Sequence, residues 1–244
     1  MKKIIALLLL ALLLFYSCNK EAENRTVTLT FTHNWNGTPV ANQDFNAFIF
    51  TTANGENISI ERLRYLISNI SLINGENHFL IDVGESSGNL ITISDVYPGN
   101  YKLKFTFGLS DAENTDGSYQ DLNSVNFNVP EMLGGGYHFM QLDGKYKDAT
   151  GQDANFNYHT IRAVDKTDPT NLKFEDTSFT VNLGNIEIKE NATIEIKMNI
   201  AEWFKNPNTW NLNALNTVLM PNFEAQKLMS ANGKTVFSLG EMSP

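Results

Sequence analysis

Four histidines are the residues of this sequence best suited to bind a transition metal: His33, His78, His138 and His159. Neutral imidazole is the commonest protein ligand for copper and zinc, and Cu(I) also accepts a methionine thioether. Met140 follows His138 by two positions in "GGGYHFMQLDGKY", so a regular strand would place both on one face. The residue types therefore permit a copper or zinc site. The alternative is that the histidines are structural.

Other chemistries have less support in the sequence. It contains no phosphate-binding glycine loop, no cysteine–histidine zinc spacing and no nucleophile elbow. The glycines at 134–136 lack the Lys-Ser/Thr of a P-loop, so they predict a bend before a strand. We therefore expect a binding protein and not an enzyme.

The elements that position these histidines are predicted to be strands, because most of the chain alternates with period two. In "TVTLTFTHNW", His33 continues the apolar face of the first strand. In "NFNYHTIRA", His159 shares one phase with Asn157, opposite Phe156 and Tyr158. Short turns and few helical signals predict an antiparallel, immunoglobulin-like β-sandwich over residues 26–244. The segment "MPNFEAQKLMSANG" predicts a short C-terminal helix.

The start of the chain has the pattern of an export signal. Lys2 and Lys3 precede an apolar run of twelve residues, Ile4 to Phe15, which is too short to span a bilayer. Cys18, the single cysteine, follows Ser17 where the run ends, in a pattern that resembles a bacterial lipoprotein box. We predict a signal peptide over residues 1–17, lipidation of Cys18 and a polar tether over 18–25.

The composition narrows the class of partner. Removal of the predicted signal peptide takes the net charge from −9 to about −11, which argues against nucleic acid and favours a cation. With one cysteine, the domain forms no internal disulfide.

The order of several motifs resembles a known family. The motifs are "TLTFTHNWNGTPV", "YLISNISL", "PGNYKLKFTFG", "EMLGGGYHFMQLDGKY" and "NFNYHTIRA". This succession is similar to the MbnP-like, copper-binding periplasmic proteins associated with methanobactin operons. The resemblance extends over nearly all of residues 26 to about 239.

The resemblance implies one copper ion held by histidines on separated strands. His159 matches a recurring family histidine, and His33 matches a histidine of copper-binding members. His138 and His78 are candidates for the remaining ligands. Some members carry a tryptophan oxidised to kynurenine by a partner di-haem enzyme, and Trp35 is the candidate for it.

Two functions follow as hypotheses. The first is a copper-binding lipoprotein of a Gram-negative cell envelope, anchored at the outer membrane, for metal acquisition or storage. Its partners would be copper, the membrane and a di-haem enzyme or an outer-membrane transporter. The second is a surface module that binds a glycan or a protein through exposed aromatics such as Trp210 or Tyr119. Because ligating histidine must be neutral, copper binding is expected to fade below about pH 6.

Overall fold

Residues 23–168 and 170–244 are described by the computed structural model. The predicted signal peptide 1–17, the lipidation site Cys18 and the first part of the tether lie outside the described residues. The strands are β1 (Arg25–Trp35), β2 (Thr38–Pro39), β3 (Phe50–Thr51), β4 (Asn57–Ser68), β5 (His78–Asp82), β6 (Leu90–Val96), β7 (Gly99–Phe107), β8 (Met140–Lys147), β9 (Asp153–Thr160), β10 (Ala163–Asp165), β11 (Lys173–Glu175), β12 (Phe179–Ile188), β13 (Ala192–Asn199) and β14 (Phe237–Ser243). The α-helices are α1 (Gln120–Ser124) and α2 (Phe223–Gly233), and 3₁₀ turns span Asn42–Asp44, Glu131–Leu133 and Ile200–Phe204.

The strands form two main sheets. The first sheet has the order β14-β13-β1-β2, and β6 also pairs with β1. The second has the order β12-β7-β4-β8-β9, and β3 and β5 also pair with β4. Strands β10 and β11 form a separate ribbon. The predicted all-β sandwich is therefore confirmed.

The apolar faces of the two sheets meet in one core. Phe31 of β1 and Phe105 of β7 are both buried, and their rings meet edge to face across the sandwich at 5.9 Å between centroids. Burial of such alternating apolar positions is the main force that holds two sheets together. The period-two pattern thus identifies the inner faces correctly.

One strand pair is parallel. Strand β1 pairs with β13 in parallel from Val27–Ala192 to Asn34–Asn199, whereas its pairing with β6 is antiparallel. Side chains alternate in the same way in both arrangements, so the sequence pattern does not distinguish them.

The predicted C-terminal helix is present as α2 and supports the end of β9. Asn222 caps it, because its side-chain oxygen accepts a hydrogen bond from the Ala225 amide at 3.0 Å. From the first turns of α2, the Gln226 amide group donates to the His159 carbonyl and accepts from the Ile161 amide, each at 2.8 Å. The helix therefore fixes the backbone around His159.

A polar row lies on the outer face of the second sheet. Arg64 pairs in register with Gln141, which pairs with His159; Arg62 pairs with Asp143, which pairs with Asn157. The intervening residues Leu63 and Leu142 are buried in the core, as is Tyr65, which follows Arg64. The outer face of this sheet is therefore polar around His159, whereas its inner face is part of the apolar core.

Candidate metal site

The glycine run before β8 forms the predicted bend. Gly134, Gly135 and Gly136 have φ values of 93°, 64° and 80°, a left-handed conformation that glycine adopts without steric cost. The next residue, Tyr137, is fully buried, and its amide donates to Asn114 Oδ1 at 2.8 Å. This turn leads into His138, which lies just before β8.

His138 is buried and has one unsatisfied ring nitrogen. Its Nδ1–H donates to the Phe127 carbonyl at 2.9 Å, and the same carbonyl accepts the His138 backbone amide. A carbonyl only accepts, so Nδ1 carries the proton and Nε2 of the neutral ring presents a lone pair. Nε2 is buried without a hydrogen-bond partner in the described part of the chain. Burial lowers the pKa of His138 to about 4, although the bond to Phe127 partly opposes it.

His159 is the nearest histidine to His138. The two ring centroids are 5.3 Å apart with an interplanar angle of 83°. Nε2 of His159 contacts Asp143 Oδ1 at 2.6 Å, which leaves Nδ1 as the nitrogen for a further partner. The structure therefore brings together two of the four predicted ligands.

Asp143 is the charged partner of this pair. It accepts hydrogen bonds from His159, from Asn157 Nδ2 at 2.6 Å and from Arg62 Nε at 2.5 Å. Burial raises the pKa of this carboxyl, but the hydrogen bonds and charges of His159, Asn157 and Arg62 outweigh it and lower the pKa to about 2. The motif "GGGYHFMQLDGKY" contains Asp143, but the sequence analysis did not identify its bond to His159. The signal was the β8–β9 register, which places the two residues on one face.

Met140 does not share the surroundings of His138. A bend at Phe139 interrupts the alternation before β8. Met140 is fully buried and pairs with Tyr65 of β4, in the inner phase of β8, whereas His138 meets His159 from the outer phase of β9. The expectation that His138 and Met140 lie on one face is therefore wrong.

His33 lies on β1 of the first sheet, and its side chain faces the inner side of the second sheet. Its Nε2 and the Tyr65 hydroxyl are hydrogen-bonded at 3.0 Å, and burial lowers the pKa of His33 to about 4. Its ring lines a surface pocket of about 280 Å³ with Val40 and Asp82. Because Tyr65 and the His159 pair lie on opposite faces of the sheet, the structure does not bring His33 to His159.

His78 lies at a third position. Its Nε2 contacts Asp121 Oδ2 at 2.9 Å, and its ring lies 4.4 Å from that of Tyr119. Among the residues that the structure describes, no group of three or more histidine, cysteine, aspartate or glutamate side chains has the arrangement of a metal site. The predicted convergence of four histidines is thus replaced by one pair and two separate residues.

Trp35 and Trp210 are both held by ring packing and by a hydrogen bond from the indole nitrogen. Trp35 packs on Phe50, with 5.0 Å between centroids, and its Nε1–H donates to the Thr51 carbonyl at 3.2 Å. Trp210 is 2% exposed, and its Nε1–H donates to the Leu215 carbonyl at 2.8 Å. The expectation that Trp210 is an exposed contact for a glycan or protein is therefore wrong, because its ring packs against Tyr158.

Comparison with known proteins identifies the family. The MbnP family model matches residues 24–221. The chain belongs to the MbnP family. The resemblance of its sequence motifs is thereby confirmed. Among solved structures, this MbnP-family chain is similar to MbnP from Methylosinus trichosporium, with a TM-score of 0.45 and 13% identity over 76% of this chain and 79% of that chain. No curated protein matches the chain.

The described residues contain no helix that is both long enough and apolar enough to cross a membrane.

Proposed function

We propose that this MbnP-family protein binds copper through His138 and His159 and serves in copper acquisition or storage without catalysing a reaction. The observation that carries the proposal is the buried Nε2 of His138, which has no hydrogen-bond partner among the described residues and lies beside the His159 ring. A buried polar atom without a partner costs free energy, and a bound metal ion would remove that cost.

The chemistry of the pair fits copper. Neutral imidazole suits copper and zinc, whereas calcium and magnesium require oxygen ligands. With a metal–nitrogen bond of about 2 Å, two imidazoles on one ion have centroids separated by roughly 4 to 6 Å. The observed 5.3 Å lies in that range.

His33 and His78 have other partners and take structural roles in this proposal. The Tyr65 hydroxyl engages His33, and Asp121 engages His78. Their assignment as ligands rests on the resemblance alone, and the proposal does not include it. Oxidation of Trp35 by a partner di-haem enzyme also stays a prediction, which intact-mass measurement of protein from its own host would test.

The proposed location is the Gram-negative cell envelope, with the domain anchored at the outer membrane by lipidated Cys18. The support is the apolar run, the single cysteine after it and the polar tether. Two or more acyl chains hold a protein firmly on a bilayer. Incorporation of labelled fatty acid in cells, abolished by Cys18→Ser, would test the anchor.

A competition titration with Cu(I) tests the proposed ligands. We expect His138→Ala and His159→Ala each to lower the affinity by more than about 100-fold, because loss of a direct ligand exceeds the effect of its supporting partners. His33→Ala and His78→Ala are the matched controls and should bind like the wild type. Circular dichroism checks the fold of all four variants. Wild-type affinity in His138→Ala, or an equal loss in His33→Ala, would refute the assignment.

A further inference from the structure

The carboxylate of Asp143 accepts hydrogen bonds from polar side chains of the two neighbouring strands, next to the histidine pair. Asp143 of β8 receives Arg62 of β4 on Oδ2, and both Asn157 and His159 of β9 on Oδ1. Asp143 is only 6% exposed. A buried carboxylate is stable when it is paired with a cation and fully hydrogen-bonded, as this one is.

The strand register shows that the contact of His159 with Asp143 is not simply the contact of two residues directly opposite each other. The direct cross-strand neighbour of His159 is Gln141, whose Oε1 instead accepts a hydrogen bond from Arg64 Nε at 2.6 Å. The His159 ring reaches diagonally to Asp143, the partner of Asn157 in register. The ring is therefore turned toward the charged acceptor and away from the neutral side chain opposite it.

This contact fixes which nitrogen of His159 carries a proton. A carboxylate that accepts hydrogen bonds from a guanidinium and an amide offers only lone pairs, so the His159 nitrogen that contacts it, Nε2, must be protonated. Nδ1 of the neutral ring then holds the lone pair. His138 has the opposite arrangement, because the Phe127 carbonyl requires a proton on Nδ1.

The geometry points to Asp143 as the positioning residue that holds His159 in the tautomer needed for metal binding, so that one imidazole offers Nδ1 and the other offers Nε2. This inference rests on the proposed copper site. A carboxylate behind a ligating histidine also makes the ring a stronger donor. Arg62 and Asn157 hold the carboxylate in place, and none of the three needs to touch the metal.

The first test is NMR of the metal-free wild-type protein and needs no variant. Long-range proton–nitrogen spectra of the imidazole rings at about pH 8, where an ordinary histidine is neutral, report which nitrogen is protonated. We expect the proton on Nε2 in His159 and on Nδ1 in His138. A proton on Nδ1 of His159, or protons on both its nitrogens, would overturn the inference.

The second test is Asp143→Asn with Asp153→Asn as the matched control. Asp153 lies on the same β8–β9 hairpin but pairs only with Lys147 at the surface. We expect Asp143→Asn to weaken Cu(I) binding by about 10- to 100-fold and to give a mixture of His159 tautomers. Asp153→Asn should change neither.

The outcomes distinguish a failure of the proposed copper site from a failure of the positioning role of Asp143. A wild-type protein without measurable Cu(I) affinity refutes the proposed function, and the role of Asp143 toward a metal with it. Tight wild-type binding that Asp143→Asn leaves unchanged refutes the positioning role alone. If Asp143→Asn does not fold, the wild-type tautomers still decide the inference.

Discussion

His138 is buried and His33 is partly buried, and the two histidines differ in the surroundings of one ring nitrogen. Burial lowers the pKa of each to about 4, so both are neutral near pH 7. The Nε2 of His33 has the Tyr65 hydroxyl as its partner, whereas the Nε2 of His138 has none in the described chain. Burial and neutrality are therefore common to a structural histidine and a candidate ligand. What distinguishes His138 from His33 is a ring nitrogen that has no hydrogen-bond partner and lies beside a second imidazole.

Acid should produce the largest effect, and it tests what the two histidines share. Their folded pKa of about 4 lies below the unfolded value of about 6.5, so the unfolded chain binds more protons between these values. The contribution of these two histidines to the free energy of unfolding is then complete above about pH 6.5, and it is lost as the pH drops toward 4. Each histidine accounts for about 3 kcal/mol of this loss. Urea unfolding of the metal-free protein across this range measures it. The double variant H33Q/H138Q should have a much flatter profile, and a flat wild-type profile would contradict shared neutrality.

Substitution of two glycines tests how strongly the turn before His138 depends on its conformation. Gly136 and Gly117 both have positive φ, at 80° and 73°, so alanine is strained at each by about 1 kcal/mol. An added Cβ at Gly136 would lie 2.5 Å from Asn114 Oδ1, whereas at Gly117 it meets nothing within 4 Å. We expect Gly136→Ala to cost about 1–3 kcal/mol more than Gly117→Ala. Urea unfolding gives the difference, and equal costs would show that the turn adapts easily.

Removal of the Tyr65 hydroxyl should have the smallest effect, and it makes His33 resemble His138. Tyr65→Phe leaves Nε2 of His33 without its partner and should cost about 1–3 kcal/mol in the free energy of unfolding. Because the His138–His159 pair lies on the other face of the sheet, Cu(I) affinity should not change. Chemical denaturation and the Cu(I) titration measure both quantities. A loss of affinity as large as that of His138→Ala would instead place His33 in the copper site.

Sequence reasoning reached the sandwich, the helix after Pro221 and the outward phase of His159, because each depends on local periodicity or capping. It grouped His138 with His159 only through the family resemblance, and it placed His138 on the face of Met140, because a single bend at Phe139 reverses the face that alternation assigns. It also missed the Asp143–His159 bond, which depends on the exact register of β8 with β9. Trp210 lies in a polar stretch, "NPNTWNLN", and yet is buried, because its neighbours in space and not in sequence cover it. Long-range geometry decides all three.

The parallel pairing of β1 with β13 determines how late in its synthesis the chain can complete its first sheet. The hydrogen bond that joins Thr26 to Asn191 closes a separation of 165 residues. Contacts so distant along the chain form slowly, and an unpaired strand exposes an edge that promotes aggregation. If the chain is exported from its amino terminus, as proposed above, β1 would emerge long before its partner β13. During that interval the strand would need a chaperone or rapid translocation of the remaining chain to keep it from associating with other molecules.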